Sequence, residues 1–440
     1  MKFIIHLHFY QPPRYDPKSG NYLVEKSAHP FRNWNERISA ECYEPILSML
    51  PYVSYNFGPT LIEWMKREKP DLFGSVVEIT RRVRNAILQP YYHIIMPLAD
   101  DFMKEVNFVW GIRYFKRIFG FSPIGCWLPE CAVDTSTLMV MRRLGIRFTI
   151  LGEDQVRGSR GSGLYRVKGI DGLYVFVFDR PISGTIAFGD EEFYRRELVN
   201  YIRKEIRKKG IVISATDGET FGHHKKEGIR ALKKLFRADL LGFSLNDAFD
   251  LGLVKGEVKV IDNTSWSCPH GLVRWYDHCG CSTGTHPGWN QRWRRPLREA
   301  MNWLADKVYR FMIPFFEELN LDYRRLILSY VDYMNYPEWV IYRWLVDLTK
   351  IKDDKVLRRL KLFLDCYRFT IAMYTSCGWF FDDPSGPETE IVLRFAKRVV
   401  EILEEVTDYH IEEGFLDRLA QAKSNVPLLG TAREVYRRLN

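Results

Sequence analysis

The chain has 440 residues, 46% of them hydrophobic and 27% charged, with a net charge of +9 and a pI near 9.0. That is an ordinary globular composition on a chain long enough to bury a full core, and eight cysteines are too few for a disulfide scaffold. The acidic residues are mixed among the Lys and Arg and no base-stacking module accompanies them, so the charge reads as a solvated, ion-pair-laced surface rather than a nucleic-acid footprint.

No run of apolar residues is long enough to span a membrane, and the stretch from Met1 to Tyr10 is not organised as a signal peptide, so a cytoplasmic location is expected. Scarce Gln beside abundant Arg, Lys and Glu leans toward a heat-adapted source. Aromatics reach 15%, a composition that suits sugar stacking as well as a large core.

Residues 3–8 (FIIHLH) read as a buried strand. A helical stretch at 36–50, a strand at 52–57 and helical segments over 60–86 follow. A strand-like run at 88–96, a helix at 100–119, a strand at 124–128, a helix at 135–144 and a strand at 147–151 come next. Residues 162–189 read as a β-rich insertion with Gly-punctuated hairpins, before a charged helix at 191–209 and a strand at 211–216. Strands alternating with helices predict a parallel α/β architecture. Polar residues fall at the C-terminal strand ends, namely His6 and His8, Asn56, His93, Glu130 and Asp217, where catalytic groups converge in barrels of this type.

From 289 onward Trp293, Leu297, Met301, Leu304, Val308 and Phe311 recur at three- and four-residue steps, and further helical patterns continue to the C-terminus. The expected organisation is a catalytic α/β barrel over 1–288 and a helical region over 289–440 packed on it, since no linker composition separates them.

Four motifs carry the chemistry: His6-Leu7-His8 with Gln11-Pro12, Tyr91-Tyr92-His93, Trp127-Leu128-Pro129-Glu130, and Asp217-Gly218-Glu219-Thr220-Phe221-Gly222-His223-His224. Histidines two apart on a strand share a face, so His6 and His8 can reach one site. In this order and spacing the set resembles four of the five signature regions of glycoside hydrolase family 57. The likeness is greatest to a subgroup of poorly assigned substrate, and it extends through Ser265-Trp266-Ser267-Cys268-Pro269-His270-Gly271, Cys279-Gly280-Cys281 and the region around Trp379-Phe380-Phe381-Asp382.

The resemblance implies an incomplete (β/α)7 barrel, retention of anomeric configuration, no cofactor and no catalytic metal, with Glu130 as nucleophile and Asp217 as general acid/base. It implies an α-glucan substrate, processed by an amylase, 4-α-glucanotransferase or branching activity. Independently of the family, double displacement needs an ionised carboxylate and a protonated one, which two strand-end acids can supply. Histidines from the set His6, His8 and His93 are expected to hydrogen-bond Glu130. Gln11, Trp127, Glu219, His223, His224, Trp266, His270 and Trp379 are the remaining candidates for substrate contact, with Glu219 the competing carboxylate beside Asp217.

Cys268, His270, His278, Cys279 and Cys281 cluster in sequence and read as a structural or substrate-facing loop, with a disulfide or a zinc site as the other readings. Two competing functions are a deacetylase-like hydrolase with His6, His8, His93 and Asp217 as metal ligands and Glu130 as base, and a catalytically silent glycan-binding protein.

Overall fold

The computed structural model describes residues 3–439. The chain forms two compact units: Met1–Gln11, Leu23–Tyr91 and Tyr114–Ser267 make the first, and Pro12–Tyr22, Tyr92–Arg113 and Cys268–Asn440 the second. None of the described helices is long and apolar enough to cross a membrane.

The first unit is α/β. Its strands are β1 (Phe3–Phe9), β2 (Ser54–Phe57), β3 (Gly125–Cys126), β4 (Phe148–Gly152), β5 (Val156–Arg157), β6 (Gly163–Val167), β7 (Tyr174–Phe178), β8 (Val212–Asp217) and β9 (Val254–Val260). Every residue of β1 is buried, as expected of a strand flanked on both edges and covered on both faces. It lies between β2 and β8, parallel to both, and the register sets His8 opposite Asn56 on one side and Asp217 on the other. A second sheet runs β3-β4-β7-β6-β9-β5, with β3, β4 and β7 mutually parallel. Isolated parallel bridges join Tyr55 to Ala86 and Leu88 to Cys126, and the Asp179 N–H donates to the Ile213 carbonyl at 2.8 Å.

Two expectations are revised. Residues 180–188 are helical, so only β6 and β7 form the antiparallel hairpin of the expected β-rich insertion. The Asp179 side chain accepts from the Ile182 N–H at 3.0 Å and Pro181 lies in the first turn, which together start a helix where the Gly spacing suggested another strand. Residues 88–96 make bridges at Leu88 and Ile94 rather than a continuous strand, because Pro90 has no N–H to donate to a ladder.

The second unit is helical. Its principal helices are Arg294–Glu318, Tyr323–Tyr330, Glu338–Thr349, Asp354–Ala372 and Pro387–Val406. Trp293, Leu297, Met301, Leu304 and Val308 are buried as their spacing requires, and Phe311 is half-buried. The two N-terminal segments of this unit are fastened by specific contacts. Trp110 Nε1 donates to the Ile327 carbonyl at 2.8 Å, Arg14 pairs with Glu388 at 3.3 Å, and the Tyr15 ring meets Phe395 edge-on.

Candidate active site

Glu130 follows β3 in the short turn Pro129–Cys131 and has a left-handed backbone, φ 58° and ψ 20°. Cys131 is also left-handed, at φ 47°. For a side chain larger than Gly or Asn this conformation costs about 1–3 kcal/mol, and such strain persists where the surroundings over-determine it. Here Trp266 supplies the determination. Its backbone N–H donates to the Glu130 carbonyl at 3.0 Å, and its indole Nε1 donates to Glu130 Oε2 at 3.1 Å. Ser267 Oγ donates to the same oxygen at 2.7 Å. The Arg180 guanidinium, paired with Asp154 at 3.7 Å, donates to the Trp266 carbonyl and holds the donor segment in place.

Asp217 ends β8 beside His8. It is the one exposed residue between Val212 and Thr220, yet protein surrounds its carboxyl closely. That enclosure, then the negative charges of Glu219 and Glu130, push its pKa well above the ordinary carboxylate range. The combination suits an acid that stays protonated while open to a substrate. A Cβ on Gly218 would lie 2.0 Å from the Phe9 ring, so only glycine lets the chain pass between Asp217 and Glu219 at this closeness.

Glu219 is buried, and Tyr43 Oη donates to its Oε1 at 2.6 Å. Burial raises its pKa to about 7 against the opposing hydrogen bonds from Tyr43, its own backbone, Tyr10 and Gln11. Gln11 thus serves Glu219 and, through its backbone carbonyl, accepts from Thr60 Oγ1 at 2.9 Å.

His6 and His8 share a face, as the strand period requires, and both engage Asn56. His6 bonds Ser54 Oγ at 3.1 Å and donates from Nε2 to Asn56 Oδ1 at 3.0 Å, so it is committed to the sheet and not to Glu130. Burial, outweighing the bond to Asn56, lowers both imidazoles to about 3, which keeps them neutral.

Trp127 is fully buried, with its ring stacked on His6 and His8 at centroid distances of 5.1 and 4.7 Å. Its faces are therefore occupied, and it supports the histidines instead of forming a sugar platform. Trp266 is half-buried and edge-on to Trp127 at 4.8 Å, and with the half-buried Tyr10, stacked on His8, it is a partly accessible aromatic of this cluster. His223 contacts Glu41, and His224 is lowered to about 4 by burial and then by the neighbouring His223 and Lys225.

Three candidates lie in the second unit. His93 Nδ1 is hydrogen-bonded to Ser376 Oγ at 2.7 Å. Trp379 is fully buried, stacked on Tyr374 and under the Arg298 guanidinium, so it is core and offers no face to a sugar. His270 Nδ1 lies 3.3 Å from Cys281 Sγ. Among the described residues the His/Cys/Asp/Glu cluster with metal-binding spacing is Cys268, His270, Cys279 and Cys281.

Ser267, Tyr43, Arg180 and Asn56 are site residues that the candidate set lacked. Asn56 was visible as a strand end. Ser267 lies 137 residues from Glu130, and no sequence period links them.

Glu130 just past β3 and Asp217 at the end of β8 put two carboxylates of unlike surroundings at C-terminal strand ends of one α/β unit, the kind of pair that a two-carboxylate enzyme of the glycosidase class requires. The model of glycosyl hydrolase family 57 matches residues 13–246, more than half of the chain, and the chain belongs to that family. A domain of unknown function, DUF3536, matches residues 289–439. An α-amylase of Pyrococcus horikoshii is 21% identical over 201 residues, which cover 42% of this chain and 31% of that protein. The match thus spans about a third of that curated relative's length.

Among solved structures, an exo-type maltose-forming amylase from Pyrococcus sp. ST04 superposes with a TM-score of 0.73 at 19% identity, covering 94% of this chain and 81% of that one. A branching enzyme from Pyrococcus horikoshii gives 0.59 at 16% identity, covering 99% and 96%. A 4-α-glucanotransferase from Thermococcus litoralis gives 0.56 at 15% identity, covering 93% and 58%. At these identities the likeness establishes the fold.

Proposed function

We propose that the chain is a retaining glycosidase or transglycosylase acting on α-glucan, with Glu130 as nucleophile and Asp217 as general acid/base. The observation that carries this reading is the asymmetry of the two acids. Glu130 Oε2 accepts two hydrogen bonds, an arrangement suited to an ionised nucleophile, whereas the surroundings of Asp217 favour its protonated form.

In the first step Glu130 attacks the anomeric carbon and Asp217 gives its proton to the departing glycosidic oxygen. In the second, Asp217 takes a proton from water or from a sugar hydroxyl, which displaces Glu130. Glu219, close to Asp217 and titrating near neutrality, raises the acid's proton affinity whenever it is itself ionised.

The bridges at Tyr55–Ala86 and Leu88–Cys126 and the Asp179–Ile213 hydrogen bond support a seven-stranded parallel barrel in the order β8-β1-β2-(86–88)-β3-β4-β7. In such a barrel both acids stand at the C-terminal rim. The α-glucan assignment rests on family membership and on the amylase, glucanotransferase and branching activities named for the relatives.

The test is incubation with maltooligosaccharides and with starch, with early products followed by proton NMR. Products released first as the α-anomer are expected. Products released as the β-anomer would overturn the retaining mechanism, and no product from either glucan would overturn the substrate. Ser267→Ala, which removes one donor to the nucleophile, is expected to lower kcat about tenfold with KM little changed. Steady-state kinetics on the same glucan checks it.

A further inference from the structure

We propose that Cys268, His270, Cys279 and Cys281 form a structural zinc site, held by three thiolates and one imidazole. The inference is independent of the glycosidase reading, because it rests on residues of the second unit alone. The four ligating atoms lie within 4.8 Å of one another. His270 Nδ1 is 3.3 Å from Cys281 Sγ and 3.9 Å from Cys268 Sγ. A tetrahedral zinc ion, with Zn–S of about 2.3 Å and Zn–N of about 2.0 Å, sets sulfur and nitrogen about 3.5 Å apart and two sulfurs about 3.8 Å apart. The observed pair of distances brackets that geometry, and all three thiols are free.

The local backbone is built to present the ligands. Cys268-Pro269-His270-Gly271 closes a turn in which the Gly271 N–H donates to the Cys268 carbonyl at 3.1 Å, bringing the first two ligands together. Cys279-Gly280-Cys281 turns through Gly280 at φ 75°, a conformation glycine adopts without strain. The Cys281 N–H then points at Cys279 Sγ at 3.4 Å, an amide-to-thiolate contact of the kind that supports metal-bound sulfur.

Charge completes the argument. Arg294 is fully buried; its Nη1 donates to Cys279 Sγ at 3.4 Å and its Nη2 to the Phe380 and Phe381 carbonyls, each at 3.1 Å. Arg274, also buried, donates to the same Phe380 carbonyl at 3.2 Å. Two buried guanidinium groups therefore converge, and the nearby Asp382 supplies one negative charge. Buried cations require paired anions. A zinc ion bound by three thiolates and a neutral imidazole carries one net negative charge and supplies the second. On binding, the ion replaces three thiol protons, with no redox change.

The loop it would fasten, from Val273–Trp275 to helix Arg294–Glu318, has no regular secondary structure among its described residues, and its exposed middle is tied by Thr283 Oγ1 to Asp382 at 2.6 Å. A metal cross-link here adds what the loop's own packing does not, and half-exposed Cys279 and Cys281 leave the ion a path in.

The experiment uses the full chain, produced in zinc-containing medium without a metal-affinity tag and purified under reducing conditions without chelator. Elemental analysis is expected to find about one zinc per chain, released when a mercurial blocks the thiols. Cobalt added to the stripped protein is expected to give thiolate-to-cobalt charge-transfer bands and tetrahedral d–d bands. Cys281→Ser and His270→Ala should each weaken zinc binding more than about 100-fold. His278→Ala should not, because His278 Nδ1 accepts from the Gln291 N–H at 3.3 Å, outside the ligand set. If the reduced, folded wild type neither carries nor takes up zinc or cobalt, the site does not exist. Zinc retained in both ligand variants, or bound only by protein whose Cys268, Cys279 and Cys281 are disulfide-linked, would overturn it equally.

Discussion

Glu130→Gln is expected to lower kcat on α-glucan by on the order of 10³-fold or more, with KM close to wild type. Gln is isosteric and its amide oxygen still accepts from Trp266 and Ser267, so the loss reports the missing nucleophile and not a collapsed site. Glu130→Gly gives a sharper result. Glycine adopts φ 58° without strain, so this variant should fold and be inactive. Azide can then occupy the space of the missing carboxylate and attack an activated α-glycoside from the opposite face. The expected product is a β-glycosyl azide, of inverted configuration, identified by NMR. Wild-type rates in Glu130→Gln would remove Glu130 from the chemistry.

Asp217→Asn is expected to lower kcat on a natural glucan by about 10²–10⁴-fold. An aryl glycoside with a good leaving group should lose much less in its first step, because that departure needs no proton. In Asp217→Ala, azide intercepts the glycosyl-enzyme, so the expected product is the α-glycosyl azide, of retained configuration. Opposite anomers from the two variants would separate the two roles in one assay.

The pH profile follows from the raised proton affinity of Asp217. The enzyme holds its catalytic proton below that raised pKa and loses activity as pH rises through it, and Asp217→Asn should lack this alkaline limb. Stability has the same sign. A carboxyl with a folded pKa above its unfolded value binds more protons when folded, so stability falls as pH rises from about 4 through the folded pKa. Replacing Asp217 by neutral Asn should therefore leave Tm at neutral pH at or above wild type, measured by scanning calorimetry.

Much of the first unit was legible in the sequence because its strands are short apolar runs that end in polar residues. The fully buried run Phe3–Phe9 can only be an interior strand, and its period of two puts His6 and His8 on one face whatever surrounds them. The helical stripe from Trp293 to Val308 was legible for the same reason, a period set by local geometry. The helix at Arg180–Phe188 was missed because its Asp179 cap was outweighed by the glycine spacing before it.

Local pattern thus determined which acids stand at strand ends and which residues face the core. Tertiary structure decided what each of them does, because the deciding contacts span long separations that no periodicity records. The left-handed backbone of Glu130 is held by Trp266, and its carboxylate by Trp266 and Ser267. Trp127 is taken from sugar stacking by His6 and His8, and Trp379 by Tyr374 and Arg298. The proton affinity of Asp217 comes from close surrounding protein and from the charges of Glu219 and Glu130, a through-space field that the motif Asp-Gly-Glu only hints at.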